Sequence, residues 1–88
     1  MRSFAINSYM FDQPGFEIMF QAWSDVFEVH DNGTPVLNVD DAIQRTIVAR
    51  KEAEVITGLD SDALNTIEHT ACRYAQVMPV FVEERLSA

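Results

Sequence analysis

The 88-residue chain has a single cysteine, Cys72, so no internal disulfide can staple it. One unpaired thiol is typical of a reducing compartment, and the expected location is the cytoplasm. No apolar run approaches the ~20 residues of a membrane span. The N-terminus carries one base, Arg2, without a sustained apolar stretch, so a secretory leader is not expected either. Positive charge is missing from half the chain. Between Ser3 and Gln44 there is no Lys or Arg, while seven acids fall there: Asp12, Glu17, Asp25, Glu28, Asp31, Asp40 and Asp41. From Arg45 onward seven acids meet five bases, and the whole chain carries a formal charge of −8. A one-signed half repels nucleic acid and anionic membranes and favours basic partners, although net charge also simply keeps a small protein soluble.

Catalytic signatures are missing too. The chain has no phosphate-binding loop, dinucleotide fingerprint, nucleophile elbow or zinc-protease helix. Asp31-Asn32-Gly33 and Asp60-Ser61-Asp62 have the acids of a calcium loop but lack its glycine at position six and its acid at position twelve. Glu68-His69-Thr70-Ala71-Cys72 is the one cluster of ligand-type residues, with His69 and Cys72 three apart on one helix face. A metal site needs three or four protein ligands, and a lone helical cysteine beside an apolar face reads as a small core residue. Asp40-Asp41 and Glu83-Glu84 could exchange protons only in a cleft. No cofactor, no metal and no catalytic residue is expected, and the chain reads as a non-enzyme.

What is present is a globular composition, 48% apolar with six Phe, in one domain over residues 1–88. A domain of this size buries a marginal core, which leaves room for help from a partner or a second copy. The chain is organised around residues 14–30, PGFEIMFQAWSDVFEVH. At 3.6 residues per turn, Glu17, Gln21, Ser24, Asp25 and Glu28 form one narrow polar stripe, and the rest is apolar. So wide an apolar arc belongs to a central helix covered on most sides. Pro14 suits its first turn, Asp12 or Gln13 its cap, and Glu17 its positive dipole end. His30 would then sit at its C-terminus, where the dipole favours a cation. A rival reading makes residues 16–22 an alternating strand and Asp31-Asn32-Gly33 a hairpin turn between 27–29 and 36–38.

A second helix is predicted over 39–57, capped by Asn38 with Asp41 or by Asp40, and stopped by Gly58. Its expected inner residues are Ala42, Ile43, Ile47, Val48, Val55 and Ile56, with Arg50–Glu54 as an i,i+4 pair on the wet face. A third is predicted over 60–78, capped by Asp60, with Leu59 and Leu64 placed as a staple. Its expected inner face is Ala63, Ile67, Ala71, Tyr74 and Met78. Pro79 kinks it or begins a short C-terminal helix over 80–86. Residues 3–11 read as a segment packed on the core. The fold class is therefore all-α, a compact bundle of three main helices, and the alternative is α+β with an N-terminal β-hairpin or meander.

The stripe Phe16, Phe20, Trp23, Phe27 reads as core, with Trp23 or Met19 available to an interface. The candidate partner-binding residues are Glu17, Asp25, Glu28, Asp31, Asp40 and Asp41, with Trp23. Carboxylates spread over a rigid surface can compete with phosphates for a Lys/Arg groove. The expected function is thus a small acidic, inhibitor-like protein acting by protein–protein contact on a basic or nucleic-acid-handling partner, without touching nucleic acid or membrane itself. In size and charge it is like small acidic phage and plasmid proteins that block nucleases or RNA-guided defence complexes, though no motif carries that likeness. The alternative is a homo-oligomeric assembly protein, in the simplest case a homodimer, with an apolar helix interface.

Overall fold

A computed structural model describes residues 13–82. In order they form α1 (Pro14–Phe27), β1 (Val29–His30), α2 (Val39–Thr57), α3 (Ser61–Val77) and β2 (Phe81–Val82). This is a helical bundle with one very small sheet. The segment expected to pack at 3–11 lies outside the described residues, as does most of the helix expected at 80–86. The described part of that stretch is extended instead: β2 pairs in parallel with β1, Val29 opposite Phe81 and His30 opposite Val82.

Local sequence sets the helix ends. Pro14 occupies the first turn of α1, and Gln13, the N-cap, accepts from the Glu17 N–H through its carbonyl at 3.1 Å. Asn38 caps α2 twice over. Its Oδ1 accepts from the Asp41 N–H at 2.8 Å, and its Nδ2 donates to Asp41 Oδ2 at 3.1 Å. Asp60 Oδ1 accepts from the Ala63 N–H at 2.9 Å and starts α3. Gly58 ends α2 at φ +70°, the left-handed geometry that a side chain would strain.

α1 stops three residues short of the expected His30. Glu28 turns extended, and the backbone beyond it has other partners. The Val29 N–H donates to Val80 O at 3.2 Å, the His30 N–H to Thr34 O at 2.8 Å, and the Val36 N–H to Glu28 O at 3.1 Å. Gly33, at φ +87°, reverses the chain, and Asn32 Oδ1 accepts from the Thr34 N–H. Of the hairpin in the rival reading only the chain reversal is there, closed by one antiparallel bridge between Val29 and Pro35, and it follows a helix rather than replacing one. His30 consequently sits in β1 and not at a helix end, and its buried Nδ1 has no hydrogen-bond partner among the described residues.

α1 packs on both other helices, which touch each other little, so it is the central helix. Phe16 and Met19 are fully buried and Ala22 nearly so; Ala49, Ala53, Leu64 and Ala71 complete the core. Phe16 stacks on Phe20 at 5.7 Å and meets Tyr74 edge-on at 6.2 Å, while Trp23 stacks on Phe27 at 6.1 Å. Gly15 lies so near α2 that a Cβ there would come within 3.0 Å of Thr57 Cγ2.

That close approach explains why α2 is rotated from the sequence reading. Its buried stripe is Ala42, Thr46, Ala49 and Ala53, all small. Of the residues expected inside, only Ala42 is; Ile43, Ile47, Val48, Val55 and Ile56 are exposed. Small side chains let two helices come together and lengthen the contact, and among the described residues α1 is the element that covers α2 over most of its length. On α3, Ala71 is inside as expected, and Ile67 and Tyr74 pack at the core margin. Leu64 and Ala75 are also buried, whereas Met78 is exposed.

Candidate functional site: an acidic groove between α1 and α2

The two helices run in opposite directions, with Gly15 beside Thr57 at one end and Asp25 beside Arg45 at the other. Along one side of their contact lies an open groove of about 750 Å³. Its apolar floor is Ile18, Ala22 and Ala49, with the exposed Val48 at the rim. Its walls carry Glu17 and Asp25 from α1 and Asp41 and Glu52 from α2, with one base, Arg45. Four acids and one base leave the groove at −3. The base is already engaged: Arg45 Nη1 donates to Asp25 Oδ2 at 3.4 Å, in a pair more than half exposed on the arginine side. Such a pair is worth at most about 1 kcal/mol and opens easily.

The structure thus brings three of the seven candidate residues, Glu17, Asp25 and Asp41, into one groove. Glu28 and Asp31 lie beyond the end of α1, in the turn that follows, and do not line it. Asp40 lies about 100° around α2 from Asp41, outside the groove. Ser24, expected on the wet stripe, is buried. Glu52 and Arg45 belong to the groove although neither was a candidate. The signal was available in the spacing: Asp41, Arg45, Val48 and Glu52 recur at four, three and four residues, one face of a helix.

Trp23 is placed quite differently. Its Nε1–H donates to Glu68 Oε2 at 3.1 Å on α3. Glu68 Oε1 accepts from Arg50 Nη1 at 2.9 Å, and Arg50 Nη2 donates to Ser61 Oγ at 3.2 Å and its carbonyl at 3.4 Å. One residue from each helix therefore meets at a partly buried polar junction. Arg50 pairs with Glu68, not with Glu54, because α3 offers a carboxylate shielded from water. Trp23, half-buried, thus spends its N–H within the fold, and Met19 is fully buried.

The same junction engages one end of the Glu68–Cys72 cluster. Both carboxylate oxygens of Glu68 are engaged, and His69 is exposed. Burial, and secondarily the negative charge of Glu68, push the Cys72 thiol above its ordinary 9.0. A nucleophilic cysteine needs the opposite shift. Among the described residues no three of His, Cys, Asp and Glu are grouped to hold a metal ion, and no helix is long and apolar enough to cross a membrane. The chain matches no known protein family, no curated protein and no solved structure.

Proposed function

We propose that this chain is a small acidic binding protein that acts without catalysis, by holding a basic segment of a protein partner in the α1–α2 groove. The observation that carries this reading is the groove itself, where Glu17, Asp25, Asp41 and Glu52 flank an apolar floor. A segment with Lys or Arg on one side and aliphatic residues on the other would satisfy both. A partner that uses such a segment to hold phosphates would be inhibited by its occupation, which is the inhibitor-like, anti-defence type of action on a nucleic-acid-handling protein.

The test is fluorescence anisotropy with a labelled amphipathic peptide bearing alternating Lys and Leu turns. Glu17→Lys and Glu52→Lys, both at exposed positions, should each weaken binding by about fivefold, and so should raising salt from about 0.05 to about 0.5 M. Affinity unchanged by both substitutions and by salt would refute the reading. Capture from a lysate at the two salts, read by mass spectrometry, would then name the natural partner.

A further inference from the structure

From the outer face of α2 we infer that two copies of this chain associate through an antiparallel, two-fold pairing of that helix. The rotation that puts alanines against α1 turns Ile43, Ile47 and Val48 outward at 52%, 45% and 52% exposure. Ile43 and Ile47, four residues apart, share one side of this face, and Val48, about 140° round from Ile43, borders its other side; opposite charges bound the face at its two ends. Asp40 and Lys51 are eleven residues apart, which is three helical turns and about 20° of azimuth, so both point the same way roughly 16 Å apart. Lys51 is the single lysine of the chain, and neither it nor Asp40 makes an ion pair among the described residues.

A two-fold axis perpendicular to α2 between residues 45 and 46 sets each residue opposite the one whose number completes 91. Asp40 then faces Lys51 of the second copy, and Lys51 faces its Asp40. Along one flank of the contact Ile43 of each copy then lies beside Ile47 of the other, and along the opposite flank Val48 lies beside Gln44. An isologous interface needs just this self-complementarity, in which each side supplies both partners of every contact. A single helix pair is smaller than the ~1,600 Å² of a standard interface, so association is weak and concentration-dependent. The apolar element is not the one around Trp23 and Met19, which the core and the Glu68 junction consume. The pairing stands independently of the groove's function, although Gln44 and Val48 border both, so peptide and second copy compete.

Sedimentation equilibrium in about 0.15 M salt, which screens the net charges beyond about 8 Å, reads the mass directly. The wild type should move from 10.0 kDa towards twice that as concentration rises to ~0.5 mM. D40K sets two ammonium groups against each other, K51D sets two carboxylates against each other, and each should lower the association constant at least ~10-fold. Mixing the two variants should restore association as a heterodimer. One chain then carries a cation at both positions and the other an anion at both, so each facing pair is again opposite in charge. The doubly exchanged D40K/K51D chain should restore the homodimer. Circular dichroism confirms folding of each variant, and K51D, at an exposed mid-helix site, carries the test if D40K loosens the first turn. A wild type that stays monomeric throughout would overturn the inference, as would association that the single variants leave intact or that mixing fails to rescue.

Discussion

Removing the carboxylate of Glu68 should loosen all three helices together. Its two oxygens hold Arg50 from α2 at 2.9 Å and Trp23 from α1 at 3.1 Å. The Arg50 and Glu68 side chains are about a quarter and a fifth exposed, intermediate between a surface pair and a buried one. At an effective dielectric of ~20 their attraction is about 4 kcal/mol at about 4 Å, much of it offset by desolvation. A charge-assisted hydrogen bond nets about 1.5–3 kcal/mol, and the indole bond adds about 1. Two circumstances soften the loss: water can reach both groups, and Arg50 keeps its bonds to Ser61. Glu68→Ala should therefore cost about 2 kcal/mol, which for a domain of this size lowers Tm on the order of 10 °C. The pairwise part is isolated by a cycle of Glu68→Ala, Arg50→Met and the double variant in urea denaturation, which should give a coupling of about 1 kcal/mol. Trp23 is the only tryptophan, so its fluorescence reports unfolding and loss of its acceptor in one experiment. A coupling below about 0.3 kcal/mol, the level of an ordinary surface pair, would refute the view that this junction organises the bundle.

Two smaller predictions concern single positions, beside the charge-reversal tests of the groove and of the α2 face. Gly58→Ala should destabilise by about 1 kcal/mol, read as a shifted urea midpoint at constant m-value; it has open space, so the whole effect is the backbone at φ +70°. Cys72 should react with iodoacetamide more slowly at neutral pH than a free cysteine peptide, and Glu68→Gln should speed it, because one cause of the raised thiol is then gone. The linkage sign follows. A folded thiol raised above its unfolded value contributes stability that is fully present below the unfolded value near 9 and fades as pH rises through the folded one. Urea midpoints of the wild type should therefore fall above about pH 9 more steeply than those of Cys72→Ala.

Where the chain could be read correctly, the relevant chemistry was local. Asn38, Asp60 and Gly58 act on backbone groups within four residues of themselves, and the α2 and α3 boundaries came out as these residues dictate. The turn at Asn32-Gly33 was equally legible, because a left-handed glycine after an Asx turn needs no distant partner. The end of α1 was not, since it depends on Val80 offering a carbonyl from about fifty residues away.

Three helices, a central one with too much apolar surface to stand alone, and a stretch from Ser3 to Gln44 with acids but no Lys or Arg all follow from the order of residues. How those helices are turned does not. Periodicity marks the apolar arc of α2, but that arc is wider than one neighbour can cover. The choice between alanines and isoleucines fell to whichever let α1 approach most closely, and Gly15 against Thr57 settled it for the alanines. From that rotation follow the groove that gathers Glu17, Asp25, Asp41 and Glu52, the outward stripe of Ile43 and Ile47, and the meeting of Arg50 with Glu68. Each depends on contact between residues distant in sequence, and such contacts are fixed by which faces pack rather than by which residues are apolar.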